Sequence, residues 1–165
     1  MPVERYFKEQ DFKIGETIMI ADEEYHHIIK VMRGKIGDQI ELINGKGLLA
    51  YAYITNIGKK TVCCDIHELS KAYFPPPSVI LIQAIPRFNR LEYILEKGTE
   101  LGVTNFWLFP SERSERNTFS ENQKQRMEHL IIAATKQCGR LDKPSLSIKK
   151  NLMDCLPLQG SVIFG

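Results

Sequence analysis

Few cysteines, no long apolar run and almost no net charge set the first limits on this 165-residue chain. The four cysteines, Cys63, Cys64, Cys138 and Cys155, form no C-x-x-C pair and no zinc-like spacing. That pattern argues against a disulfide scaffold and against a metal centre, and no metal is expected. Apolar stretches such as 48–54 fall far short of the roughly 20 residues needed to cross a bilayer. The N-terminus reaches Glu9 and Asp11 without an apolar core, unlike a secretory signal. Lys and Arg total 22 against 20 Asp and Glu, a formal net charge of +2, which excludes a histone-like polycation but not a local basic cluster. With 43% hydrophobic and 25% charged residues the composition is globular. A soluble, cytoplasmic protein with reduced thiols and no membrane partner is expected.

What is present divides the chain in two. Residues 1–74 read as β-rich. Gly37-Asp38 and Asn44-Gly45-Lys46-Gly47 are turn signals around Ile40, Leu42 and Ile43. Residues 49–57 form an apolar strand with Tyr51 and Tyr53 on alternate positions, and Lys59-Lys60 opens a further strand through Val62, Cys64 and Ile66. One helix interrupts them, with Asp22 as its cap and Tyr25, Ile28, Ile29 and Met32 on one face. Short strands, tight turns and one helix predict a small barrel.

Pro75-Pro76-Pro77 marks a boundary, because three prolines continue neither a central strand nor a helix. Beyond it strands and helices alternate. A strand is expected over 79–85 and a helix over 89–101, stopped by Gly102. A second strand follows over 103–109. The next helix opens on a Ser120/Gln123 capping box and ends at Gly139, a helical turn occupies 152–156, and the third strand is expected over 161–164. The alternation predicts a parallel sheet. Ligands bind beyond the carboxyl ends of such strands, so a chain ending at Gly165 is expected to be truncated where a cofactor loop would begin.

Charge is uneven as well. Residues 1–74 hold ten basic and eleven acidic side chains and residues 75–165 hold twelve and nine. The excess lies between Arg113 and Lys143, a candidate contact for a phosphate-rich partner or simply a solvated helix face. Gly45-Lys46-Gly47-Leu48-Leu49-Ala50 fits a dinucleotide fingerprint by letter only, since a strand follows it rather than a helix. His26-His27 cannot chelate one ion from adjacent helical positions; one partly buried and one exposed histidine explain the pair.

Four blocks remain: Gln83-Ala84-Ile85-Pro86-Arg87, Glu96 to Val103 with Glu100-Leu101-Gly102-Val103 at its end, Ser111-Glu112-Arg113-Ser114, and Ala133 to Arg140 with Gln137-Cys138-Gly139-Arg140. Together with Arg5-Tyr6-Phe7, His26-His27-Ile28 and Val31-Met32-Arg33, they resemble the bacterial small-subunit ribosomal RNA uridine-N3 methyltransferases, the RsmE family. The resemblance covers nearly the whole chain. Arg87 stands where many members carry lysine.

The resemblance implies a PUA-like RNA-binding β-barrel over 1–74 and the start of a SPOUT trefoil-knot α/β domain over 75–165. It also implies S-adenosylmethionine as cofactor, small-subunit ribosomal RNA or the ribosomal subunit as partner, and a homodimer in the full-length form. The family's Gly-Pro-Glu-Gly-Gly cofactor loop is absent from the sequence and would lie beyond Gly165, so the chain alone is expected to be inactive. An RNA-binding module without catalysis is the alternative. Arg113 is expected to stabilise the uridine anion or a phosphate, and Glu100 to orient or accept a proton. Arg5, Arg33, Arg87 and Arg140 are expected to contact RNA, with Arg113 and Arg140 brought to one edge of the sheet.

Overall fold

The computed structural model describes residues 4–71, 77–112, 114, 118–157 and 160–163. They form two compact units, one made of residues 1–75 with 135–143 and the other of 76–134 with 144–165. The segment that closes the helix of the second half is therefore grouped with the first.

The first unit is a five-stranded sheet in the order β1-β3-β4-β5-β2, built from β1 (Arg5–Phe7), β2 (Thr17–Ala21), β3 (Gln39–Ile43), β4 (Leu48–Ile57) and β5 (Thr61–Lys71). The edges β1 and β2 do not pair with each other, so the small barrel expected takes the form of a curled half-barrel sheet. Register shifts between β4 and β5 at Tyr51/Ala52 and at Ile54/Asn56 provide the local twist that curls it.

Period-two alternation decides which side chains enter the core. Ile18 and Ile20 of β2, Ala50, Ala52 and Ile54 of β4, and Val62, Cys64 and Ile66 of β5 are buried together with Tyr6, Leu42 and Ile28. The tyrosines of β4 face the other way. Tyr53 stacks on His67 with ring centroids 4.4 Å apart.

The expected helix is shorter and less regular than its periodicity suggests. It comprises one α-helical turn, α1 (Asp22–His26), and a π-helical turn (His27–Val31). Asp22 does not cap it. Strand β2 runs straight into the helix, Ala21 occupies the cap position without a side-chain bond, and Asp22 itself takes a positive φ of 54°. His26 is exposed and His27 half-buried, packed edge-on against Tyr6, as the sequence suggested for this pair.

The second unit is a three-stranded parallel sheet, β6 (Ile80–Ala84), β7 (Asn105–Phe109) and β8 (Ser145–Ile148), in that order. Helices α2 (Phe88–Glu100) and α3 (Glu121–Gln137) supply the crossovers. Leu91 and Leu95 of α2 and Met127 and Ile131 of α3 form one core with Phe106 and Leu108 of β7. The predicted capping box is present: Gln123 N–H donates to Ser120 Oγ at 3.3 Å, and Ser120 N–H to Gln123 Oε1 at 3.0 Å. Residues Tyr73 to Pro76 of the expected spacer lie outside the described residues.

The third strand is not where the sequence placed it. Ser161–Ile163 are exposed and unpaired, and Phe164 lies outside the described residues. Residues 145–148 pair instead, through Asn105↔Ser145 to Leu108↔Ile148. A short connection after α3 can lay the chain beside β7, and the first extended residues to arrive there take the edge. With two serines in four positions, β8 carries little apolar signal.

The buried Cys64 sets a pH limit on the first unit. Burial, and then the neighbouring Cys63 and Asp65, push its thiol from 9.0 up to about 12. Below pH 9 the thiol is neutral in both folded and unfolded chains and favours neither. Above it, the unfolded chain releases a proton that the folded one retains, so stability falls between about pH 9 and 12, by at most about 1.4 kcal/mol per pH unit. Urea midpoints across that range are expected to drop in the wild type and to drop less in Cys64→Ala. Equal slopes would mean the thiol is not the titrating group.

Candidate nucleic-acid interface

Two sets of cations stand out, one in each unit. In the first, β1 runs parallel to β3 with Arg5 opposite Glu41. The guanidinium donates from Nε at 2.9 Å and from an Nη at 2.7 Å to the same carboxylate oxygen. The segment 135–143 adds more charge. Lys136 Nζ donates to Glu24 Oε1 at 2.7 Å, Arg140 pairs with Asp142, and Lys143 sits over the Phe7 ring 5.9 Å from its centroid.

A turn makes room for this segment. Asn44 Oδ1 accepts from Lys46 and Leu48 N–H, and Lys143 N–H donates to Gly45 O at 2.8 Å. A Cβ on Gly45 would meet the Phe7 ring at 2.9 Å and Lys143 Cβ at 3.0 Å, so only glycine allows so close an approach.

Arg33 differs from Arg5 and Arg140. It follows the π-helical turn at a φ of 56°, is exposed, and makes no ion pair among the described residues. Of the first unit's three predicted RNA contacts, Arg5 and Arg140 are held by carboxylates while Arg33 presents its charge to solvent.

In the second unit the carboxyl ends of β6, β7 and β8 lie along one edge. Ser114 ties two of the loops there: its Oγ donates to Ile85 O at 2.9 Å and accepts from Ser111 N–H at 3.0 Å. Arg87 starts α2 on this edge and is exposed. Lys149, just after β8, donates its backbone N–H to Leu108 O at 2.7 Å, and its ammonium lies 4.6 Å from the centroid of the Trp107 ring. Neither residue of this last pair was picked out from the sequence. A lone lysine and a strand tryptophan forty-two positions apart carry no local signal.

Arg113 lies outside the described residues. Glu100 is not on the Arg87 edge. It ends α2, where the chain turns back toward the start of β7, and both its carboxylate oxygens accept from Lys97 Nζ, at 2.9 and 3.0 Å. The hydrogen bonds that its ammonium donates to Glu96 and Glu100 hold Lys97 above the usual lysine range. Arg140, expected at one sheet edge with Arg113, is grouped with the first unit instead. The helix that precedes it, α3, leads to the start of the next strand, not to a strand's carboxyl end. Among the described residues no three metal-ligating side chains cluster, and no helix is long and apolar enough to cross a membrane.

A curled sheet with a basic flank and a parallel α/β unit define the architecture; the class of the chain does not follow from it. Comparison with known proteins specifies it. Residues 74–161 match the RNA methyltransferase domain family and residues 20–66 match the RNA methyltransferase PUA domain family. Ribosomal RNA small subunit methyltransferase E of Bacillus subtilis is 33% identical over 76% of this chain and 51% of its own length. The protein of the same name from Buchnera aphidicola is 28% identical over 91% of this chain and 61% of its own. Among solved structures, a Legionella pneumophila methyltransferase in complex with S-adenosylmethionine superposes with a TM-score of 0.84 at 26% identity, over 93% of this chain and 65% of that one. The Neisseria gonorrhoeae methyltransferase E bound to S-adenosylmethionine gives 0.77 at 28% identity, over 90% and 62%. The chain belongs to the RsmE family of RNA methyltransferases. It spans 51–61% of the length of these two curated relatives.

Proposed function

We propose that the chain acts in S-adenosylmethionine-dependent methylation of N3 of a uridine in small-subunit ribosomal RNA, as a homodimer whose α/β domain has the SPOUT knot. The observation that carries this reading is the pairing, in one chain, of the PUA and RNA methyltransferase matches. The shared name of the relatives supports the substrate, and the bound cofactor of two structural neighbours supports the methyl donor.

The cofactor, when bound, supplies an electrophilic methyl group on a sulfonium. The described residues do not make a site for it. Its expected edge offers hydroxyls already committed to Ile85 O and Ser111 N–H, and a cation at Lys149 that repels a sulfonium. No transfer step is therefore assigned to them. What this chain contributes is hold on the RNA. A uridine N3 must lose its proton to become nucleophilic, and a guanidinium nearby favours the resulting anion. Arg113 is given that role, Arg87 and Arg33 contact RNA, and Arg5 and Arg140 contact it from carboxylate-braced positions. Glu100 is given an orienting role at the end of α2, through Lys97.

Small-subunit RNA incubated with methyl-labelled cofactor and a protein of the relatives' full length that carries this chain, then digested to nucleosides, is expected to hold its label in 3-methyluridine, whereas the chain by itself is expected to bind RNA and transfer no label. Label in another nucleoside overturns the uridine-N3 reading. RNA binding without label by the longer protein supports the non-catalytic module. In the binding arm, Arg33→Ala is expected to lower the log–log salt slope by about 1. Its unfolding free energy is expected to stay within roughly 0.5 kcal/mol of wild type.

A further inference from the structure

Trp107 and Lys149 form an arrangement that the carboxylate-braced pairs elsewhere do not. Trp107 lies in the central strand β7, between Phe106 and Leu108, which are buried against α2 and α3. Period-two alternation turns the indole to the opposite face, in register with Ile82 and Ser147, where it is half-buried. Lys149 follows the carboxyl end of β8, and its ammonium rests on that ring. The indole face attracts the cation and the aliphatic stem covers apolar surface.

No carboxylate pairs with the Lys149 ammonium among the described residues. Asp154, close in sequence, is committed through Oδ2 to the backbone N–H of Lys150 at 3.1 Å. By contrast Arg5, Lys97, Lys124, Arg126, Lys136 and Arg140 all meet acidic partners. Lys149 is thus oriented without being neutralised. An ordered lysine keeps its N–H donors available to an anion and has less side-chain freedom left to lose on binding. It also stands on the edge of a parallel sheet where ligands bind.

We propose that Trp107 and Lys149 form a phosphate-contact site for single-stranded RNA, with Trp107 as the positioning residue and Lys149 as the contact. This rests on the ribosomal RNA reading above. Phosphate contacts of this kind fix the register of a nucleic acid on the protein and carry no sequence information. The site would help set which nucleotide reaches the chemistry, and would not read the base.

Trp107 is the sole tryptophan, so its fluorescence reports on this site alone. Titration of the whole chain with a mixed-sequence single-stranded oligoribonucleotide is expected to change the emission saturably. One phosphate contact on a single strand contributes a slope of about 0.7, or roughly eightfold in affinity between about 1 M and about 50 mM salt. Lys149→Ala is expected to lose that eightfold and that part of the slope, while Lys149→Arg retains both.

An oligonucleotide that binds the wild type, leaves the emission unmoved and shows the same slope in Lys149→Ala overturns this site and leaves the RNA reading standing. A lower melting temperature in Lys149→Ala with an unchanged slope also overturns it, reducing the pair to a structural contact. Absence of RNA binding at every salt concentration overturns the RNA reading and this site with it.

Discussion

Phe106→Ala is expected to destabilise the α/β unit by about 3–5 kcal/mol, as large-to-small changes of a fully buried aromatic residue do. The ring sits in the central strand of a three-stranded sheet, so few neighbours can collapse into the space. Its partner across the core is a glycine. A Cβ on Gly98 of α2 would lie 2.7 and 2.9 Å from two atoms of the Phe106 ring, closer than a packed contact allows.

Gly98→Ala in the wild type is therefore expected to overpack, at a cost of about 1–3 kcal/mol, against a gain of at most about 1 kcal/mol from helix propensity. In the Phe106→Ala background the clash is gone, and Gly98→Ala is expected to stabilise. Urea unfolding of the four proteins closes the cycle, with a coupling of about 1–3 kcal/mol. If Gly98→Ala has the same effect in both backgrounds, the ring does not pack on the helix as described.

The second large effect is expected at Lys136. The Lys136 and Glu24 side chains are 19% and 17% exposed, and Glu24 Oε2 is buried with no hydrogen-bond partner among the described residues. Glu24 Oε1 also accepts from Phe7 N–H at 3.1 Å. Lys136→Ala would leave a mostly buried carboxylate held by that single N–H. Fully buried pairs broken on one side cost about 3–5 kcal/mol; with partial solvent access the expected loss is about 1–3 kcal/mol. Glu24→Gln combined with Lys136→Met is expected to recover part of it, because neither partner is then charged. A double variant as unstable as Lys136→Ala alone would show that packing around 135–143, not charge, is responsible.

These two sites show how unevenly the sequence speaks. The helix α2 was legible in the sequence, expected over 89–101 and found at Phe88–Glu100. Gly98 was read only as part of a family block, and its reason lies across the core in Phe106. Likewise Lys136 stands in a block noticed for its family resemblance, yet its partner Glu24 is 112 residues away. Charge pairing over such a distance leaves no periodic trace.

The strand error has the same origin. Val162-Ile163 looked like the third strand because hydrophobicity was the only available signal, whereas Ser145–Ile148 gained the position from its place beside β7. The Asp22 cap failed for a related reason. The residue type was right, but β2 left no loop in which a cap could form.

By itself the sequence determined the hairpin turns, the alternating strand and helix pattern and the resemblance to the RNA methyltransferases. Each rests on local chemistry: glycine and asparagine in turns, period-two and period-3.6 apolar patterns, and contiguous blocks. Only the tertiary structure decided that Arg5 is braced by Glu41 while Arg33 is presented, and that Lys149 rests on Trp107. Those outcomes depend on side chains far apart in sequence meeting across a sheet. Their energies come from the pairing itself, which no single residue carries.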